Sequence, residues 1–312
     1  MASLLKSIIG HKKQISQLLG VIDSQKISSC YLFSGPSGIG KRKIAFAFAQ
    51  EVLCTNGRPA CGECGQCLKI EKNEHEEVMY VEPDGAQIKI AQAEEIHRFL
   101  NLQKTGKHRF IIINDAHAMN PQAGNSLLKI LEEPPANTTF FLITHSDQAV
   151  LKTLRSRSQL LHFSSLSYED MRSQTDAPDW VIRSSQGRMD LLEQTKDAGL
   201  DFLRQKSFSF IKEALSNDLK SATNFKELMS DREGALKLVS LWQQILRDIL
   251  FFKEGLTPQI HSDQTEVFES FHAVPAEKIQ ELFQQLMQVE RDIHGNIDRT
   301  LTFENFILSL RN

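Results

Sequence analysis

Three groups of residues in this 312-residue chain could do chemistry. The first is Gly35-Pro36-Ser37-Gly38-Ile39-Gly40-Lys41. Glycines at these spacings let backbone N–H groups turn inward as an anion nest. A helix start adds the positive end of its dipole, and Lys41 supplies a point charge for β- and γ-phosphates. The position after the lysine, where a Ser or Thr hydroxyl would hold Mg²⁺, is Arg42. Such a loop can grip the phosphates of ATP or ADP, but its metal chemistry is compromised. The second group is Cys54, Cys61, Cys64 and Cys67, spaced C-x6-C-x2-C-x2-C. Four thiolates so close together can close a tetrahedral shell, which suits Zn²⁺ in a structural site with no open position. Gly57, Gly62 and Gly65 permit the tight turns between ligands.

The third group ends the run Phe110-Ile111-Ile112-Ile113-Asn114-Asp115-Ala116-His117. This has the form of a Walker B strand end, where one acid orients Mg²⁺ and in many ATPases the next activates water. Asn114 stands at the metal-side position and Asp115 at the water-side one. An amide is a poor ligand for a hard cation. Together with Arg42, these are two separate losses at one metal, which argues against Mg²⁺ and against a competent ATPase. A carboxylate opening a helix is the competing reading of Asp115. Cys30 reads as a small core residue, and His75, off the cysteine spacing, as a surface histidine.

These residues need elements to position them. Tyr31-Leu32-Phe33 reads as a buried strand running into the glycine loop, with a helix from the loop to about Leu53. A loop and an amphipathic helix cover Ile8 to Ser28, and the cysteine stretch reads as an irregular insert. Strands are expected over Val78–Val81, Arg109–Ile113, Thr139–Thr144 and Leu160–Phe163, alternating with helices over Ala91–Leu102, Ala123–Leu131 and Leu151–Ser156. Uninterrupted apolar strands fit a parallel sheet covered on both faces, so the first half is expected to be a doubly wound α/β domain. After Ser165 the pattern becomes helical, with Asp179–Ser185, Arg188–Thr195, Ala235–Phe252, Ala276–Ile293 and Asn296–Leu310, and Gly255–His261 as a linker.

The chain is 41% hydrophobic and 24% charged, ordinary for a globular protein, with length for two or three domains. A net charge of −3 gives no global field for nucleic acid, so DNA contact would need a local patch or a partner. No apolar run approaches the roughly 20 residues of a membrane span, and the N-terminus lacks a signal-peptide pattern. The expected location is the cytoplasm, where four bunched cysteines read as metal ligands rather than disulfides.

Asn125-Ser-Leu-Leu-Lys129-Ile-Leu-Glu132-Glu133-Pro134-Pro135 and Leu154-Arg155-Ser156-Arg157-Ser158 resemble the clamp-loader branch of the AAA+ ATPases. The order of glycine loop, cysteine cluster, Walker B, LLKxLEEPP and SRC-type motif is similar to that of bacterial DNA polymerase III clamp-loader subunits. The resemblance is close over roughly the first 165 residues and holds in outline beyond them. Gamma/tau subunits keep the Walker hydroxyl and acid; the delta-prime type tolerates their loss and is the one this sequence resembles. The resemblance implies an AAA+ P-loop domain over 1–165 with a zinc module at 54–67. A helical lid at 166–205 and an all-α collar at 206–312 would follow. It implies that Arg157 is an arginine finger reaching a neighbouring subunit's ATP, that Thr144 is a γ-phosphate sensor, and that Arg188 is a candidate second sensor. The implied partners are gamma/tau and delta in a ring, with the sliding clamp and primer-template DNA reached through the complex. Two rival readings are an active gamma/tau-like ATPase using Lys41 and Asp115, and a zinc-ribbon nucleic-acid binder, which the net charge disfavours.

Overall fold

The computed structural model describes residues 3–194, 199–216, 225, 231–295 and 297–310. The chain divides into two compact units, one of Met1–Thr175 with Gly187–Leu191, the other of Asp176–Gln186 with Leu192–Asn312.

In the first unit five strands form one all-parallel sheet: β1 (Cys30–Ser34), β2 (Val78–Val81), β3 (Arg109–Ile113), β4 (Thr138–Thr144) and β5 (Gln159–His162), in the order β2-β3-β4-β1-β5. The central strands are buried on both faces, so their side chains alternate between two cores. Tyr31, Phe33, Phe110, Ile112, Phe141 and Ile143 enter one core, beside α1 (Lys12–Asp23) and α2 (Lys41–Leu53). Cys30, Leu32, Ile111, Ile113, Phe140 and Leu142 enter the other, beside α4 (Ile90–Asn101), α5 (Pro121–Glu132) and α6 (Lys152–Arg155). Each fully buried Leu, Ile or Phe contributes roughly 2 kcal/mol of transfer free energy, which explains why so little polarity is tolerated there. The α5 helix starts where the sequence directs: Asn120 caps it by accepting a bond from the Ala123 N–H, and Pro121 occupies the first turn. The expected doubly wound α/β sheet is the architecture observed.

The strand order decides where the chemistry sits. Because β4 lies between β3 and β1, the loop after β1, the residues after β3 and the end of β4 meet at one edge, the carboxyl edge of the sheet. The register pairs Ser34 with Thr144 and Ile113 with Leu142.

Some local features differ from expectation. The cysteine stretch is not wholly irregular: α3 (Gly65–Glu71) starts inside it, with Cys67 in its first turn. His75 is buried, not a surface histidine, and its Nδ1 accepts the Glu77 N–H at 3.0 Å. The chain beside β2 is held inside by Glu77, itself buried, so His75 goes in with it. A short helix, α7 (Tyr168–Arg172), follows β5 within the stretch expected to be helical, though its own bounds were not read from the sequence.

The second unit is helical: α8 (Asp179–Ser184), α9 (Met189–Gln194, whose first residues belong to the first unit), α10 (Leu200–Ser216), α11 (Arg232–Lys253), α12 (Thr265–Glu269), α13 (Ala276–His294) and α14 (Arg299–Ser309). The expected helix ends at Thr195 and Asn296 fall outside the described residues. The expected 255–261 linker is followed by α12, too short to show a period. Trp242 on α11 centres the core, stacked on Phe210 at 4.4 Å and edge-on to Phe225 at 5.2 Å. Apolar positions three and four apart on α11 and α13 supply the rest. Arg204 is buried in this unit, paired with Asp263 and lying 4.6 Å over the Trp180 ring.

Candidate functional site

The glycine loop joins β1 to α2, as its sequence requires. A side chain at Gly35 would come within 2.0 Å of the Phe163 carbonyl oxygen, so only glycine lets the loop pass β5. Gly38 has φ +72, and a Cβ there would strike the Asp190 carboxylate. The Met189 N–H donates to the Gly38 carbonyl at 2.9 Å, so the 187–191 segment closes over the loop's outer side. There Arg188 pairs with Asp190 at 2.7 Å. Arg188, which the resemblance offered as a candidate second sensor, thus lies in the segment that meets the loop, and the Asp190 carboxylate against Gly38 was not anticipated. His11 was also missed: its Nε2 lies 2.9 Å from the Ile39 carbonyl oxygen, and nothing in the sequence around it signals that contact.

Gly35 to Gly40, Lys41, Arg42, Asp115 and Thr144 converge as the strand order demands. A cleft of about 330 Å³ is lined by Ser37, Gly38, Gly40, Lys41, Arg42, Lys43, Asn114, Asp115, Ile143 and Thr144. Lys41 is buried, and its Nζ donates to the carbonyls of Gly35 at 2.7 Å and Pro36 at 2.5 Å. Burial pulls its pKa down to about 8, against the opposing pull of Asp115. The lysine is thus a cation held against the loop, available to phosphate at neutral pH.

The nucleotide fits this cleft by donor chemistry, with a glycine nest, a helix start and a buried lysine converging on it. Magnesium does not. The Arg42 guanidinium turns to Tyr80, 5.5 Å above its ring centroid, and Nη1 donates to the Tyr80 hydroxyl at 3.2 Å. The Asn114 amide donates to Asp115 Oδ2 at 3.0 Å. The Thr144 hydroxyl donates to the Ser146 carbonyl at 2.8 Å and accepts the Ser146 N–H at 3.2 Å. His117, two residues past Asp115, lies 3.3 Å from the same hydroxyl and is packed edge-on against His145. Among the described residues lining the cleft, Asp115 is the one carboxylate.

Arg157, just past α6, is one-third exposed. Its guanidinium pairs with Glu132 at the end of α5 and donates to the Thr153 carbonyl at 3.0 Å. Ser158 accepts no charge and acts as an anchor: its hydroxyl donates to the Leu154 carbonyl at 2.8 Å and lies 3.1 Å from Cys30 Sγ. Cys30 is fully buried, as its sequence context suggested, and burial pushes its thiol up to about 12.

The four cysteine sulfurs all lie within 4.8 Å of one another. Cys54 Sγ is 3.6 Å from Cys61 Sγ and 3.9 Å from Cys64 Sγ. A tetrahedral zinc with bonds of about 2.3 Å requires sulfur separations near 3.8 Å, so the set fits that ion. Backbone N–H groups of Cys61 and Cys64 point at sulfurs of the cluster, at 3.4 and 3.3 Å, which offsets thiolate charge.

A parallel sheet with a glycine loop after β1 and polar strand ends beside it, followed by a helical unit, defines an AAA+-type P-loop protein. A solved Thermotoga maritima structure, a DNA polymerase III gamma subunit-related protein, shares this fold. It superposes with a TM-score of 0.54 over 95% of this chain and 98% of that one, at 19% identity. The family model for the DNA polymerase III delta subunit matches residues 10–167, and that for its C-terminal part matches 208–312. The chain belongs to the DNA polymerase III delta-subunit family. It is 38% identical to the Bacillus subtilis DNA polymerase III subunit delta' over 153 residues, 48% of this chain and 46% of that protein. It is 37% identical to the delta' subunit of Pseudomonas aeruginosa over 134 residues, 41% and 40% of the two chains. A Mycobacterium tuberculosis gamma/tau subunit is 32% identical over 170 residues, 53% of this chain and 29% of that one. The chain thus spans less than half the length of the curated relatives it matches. The clamp-loader resemblance read from the motifs, with its delta-prime character, agrees with these matches.

Proposed function

We propose that the chain works as a delta-prime-type subunit of a DNA polymerase III clamp loader, supporting ATP-driven loading of a sliding clamp onto primer-template DNA. It does not turn over ATP itself. Its P-loop cleft binds ATP or ADP through Lys41 and the loop N–H groups, and Arg157 acts as an arginine finger at a neighbouring subunit's ATP. The observation that carries this reading is the cleft's loss of magnesium ligands at two elements, Arg42 and Asn114, while the phosphate-gripping loop is kept. The α-helical residues from 206 onward act as a collar holding gamma/tau and delta partners, and 166–205 as a lid. The four cysteines hold a structural zinc. No helix among the described residues is long and apolar enough to cross a membrane, and the complex is proposed to work in the cytoplasm.

The test is reconstitution with gamma/tau and delta subunits. One stable complex should form, and the Arg157→Ala variant should assemble normally but depress its ATPase. Normal turnover by that variant complex would remove the finger. A rival reading as an active ATPase draws on Lys41 and Asp115 both lining the cleft. Lys41-dependent, Mg²⁺-dependent hydrolysis by the isolated chain would establish it.

A further inference from the structure

The cleft has exchanged metal ligands for cations. Lys41, Arg42 and Lys43 follow one another around the start of α2 and line it, whereas Asp115 is the one carboxylate among the described lining residues. Tyr80 anchors Arg42: its ring lies beneath the guanidinium, and its own hydroxyl proton goes to Glu82 at 2.8 Å. The guanidinium is therefore held over Tyr80 of β2, while Arg42 lines the cleft at the position from which a P-loop hydroxyl would hold the ion. The polyphosphate of ATP or ADP needs that neutralisation from somewhere, because its oxygens repel one another. In ordinary P-loop sites Mg²⁺ supplies much of it. Here the loop N–H groups, the helix dipole and Lys41 can supply it without an ion, with Arg42 held at the cleft's edge and the Lys43 ammonium bonded to the Ser7 carbonyl at 3.0 Å.

We propose that this cleft takes nucleoside polyphosphate in its metal-free form, with Mg²⁺ weakening binding instead of supporting it. The inference rests on reading the cleft as a nucleotide site and names the form of the ligand. The reasons are electrostatic and coordinative. A dication brought within about 6 Å of a fixed guanidinium is repelled, by about tenfold in affinity even at the dielectric of water. Mg²⁺ also gives up its water shell reluctantly and favours charged oxygen ligands; Arg42 offers no oxygen, and Asn114, whose NH₂ is bonded to Asp115, offers a neutral amide oxygen in place of a carboxylate.

The purified full chain would be titrated calorimetrically with ADP and with ATP, in buffer with EDTA and in buffer with Mg²⁺ in excess over nucleotide, at matched ionic strength. The expected result is saturable binding in EDTA, abolished by Lys41→Ala, and a dissociation constant about tenfold higher with Mg²⁺. Arg42→Ser should bring the ratio between the two buffers to one or below; Arg42→Gln, which removes charge without adding a short hydroxyl, should shrink it. Equal or tighter binding in Mg²⁺ by the wild-type chain would overturn the inference and leave the cleft a nucleotide site. An unchanged ratio in both Arg42 variants would overturn the part given to Arg42. Absence of saturable binding in either buffer would overturn the nucleotide reading together with the inference.

Discussion

The guanidinium of Arg157 is paired with the carboxylate of Glu132, across the gap between the turn after α6 and the last turn of α5. A carboxylate at a helix C-terminus faces the negative end of the dipole, so Glu132 gains from a cationic partner. Both side chains are substantially exposed, and such pairs contribute about 0–1 kcal/mol to stability. Arg157→Ala should therefore shift the urea midpoint of the isolated chain very little. In a reconstituted loader the same change should lower ATP turnover by at least about tenfold, since a finger acts on transition-state charge and can be worth far more. A large loss of stability with unchanged turnover would make Arg157 a structural residue only.

Arg109 and Glu77 form a pair of the opposite kind, buried on both sides. Burial alone would raise the Glu77 pKa. The Arg109 guanidinium, with N–H groups of Gly106 and Thr105, brings it instead to about 2. Arg109 also donates to the Phe99 carbonyl at 2.8 Å, tying the end of α4 to the sheet. Arg109→Met leaves a buried carboxylate without its cation and should cost about 3–5 kcal/mol in chemical denaturation. Glu77→Gln with Arg109→Met should recover part of that loss.

Two buried histidines make stability depend on pH. Burial, reinforced by Arg204, pushes His261 down to about 3; burial with Lys104 nearby pushes His108 down to about 4. In the unfolded chain each imidazole takes a proton near pH 6.5, so below that pH the unfolded state binds more protons than the folded one. Stability therefore falls as pH drops below about 6.5, by roughly 2 kcal/mol from each site at pH 5. Urea midpoints measured at pH 7 and pH 5 should separate accordingly, and His261→Gln should narrow the difference.

The cysteine cluster predicts one tightly held zinc per chain. Elemental analysis of protein purified without added metal should find it. Cys61→Ser should lower metal content and cost several kcal/mol in the surrounding segment, because the ion's binding energy is folding energy there.

At Gly38 the backbone is left-handed and the space is taken by the Asp190 carboxylate. Gly38→Ala should cost about 1 kcal/mol or more from φ alone, and more from the displaced side chain. Asp190→Ala in the same background should restore the second part, as measured by denaturation of the double variant.

Much of this was legible in the residues. The apolar strands, the glycine loop and the cysteine spacing each carry a local physical signature, and strands alternating with helices pointed to a doubly wound sheet, though not to the order of its strands. Arg42 and Asn114 were readable because a single residue type decides whether an oxygen is there to bind a metal. Contacts that depend on distant chain folding back were not legible. Asp190 on Gly38, His11 on Ile39 and Glu132 on Arg157 join segments far apart in sequence, and no periodicity encodes such meetings. His75 read as a surface residue because it lies off the cysteine spacing, yet it is buried together with Glu77 while Glu74 and Glu76 beside it stay exposed. Short helices such as α3, α7 and α12 hold too few residues to display a repeat.

The two vacated ion-holding positions belong to separate parts of the fold, one opening α2 and the other closing β3. Exchanging either residue back would give a divalent ion one of its two protein ligands, with the other position still lacking its hydroxyl or carboxylate. Restoring a full ion shell would therefore take changes at both elements together.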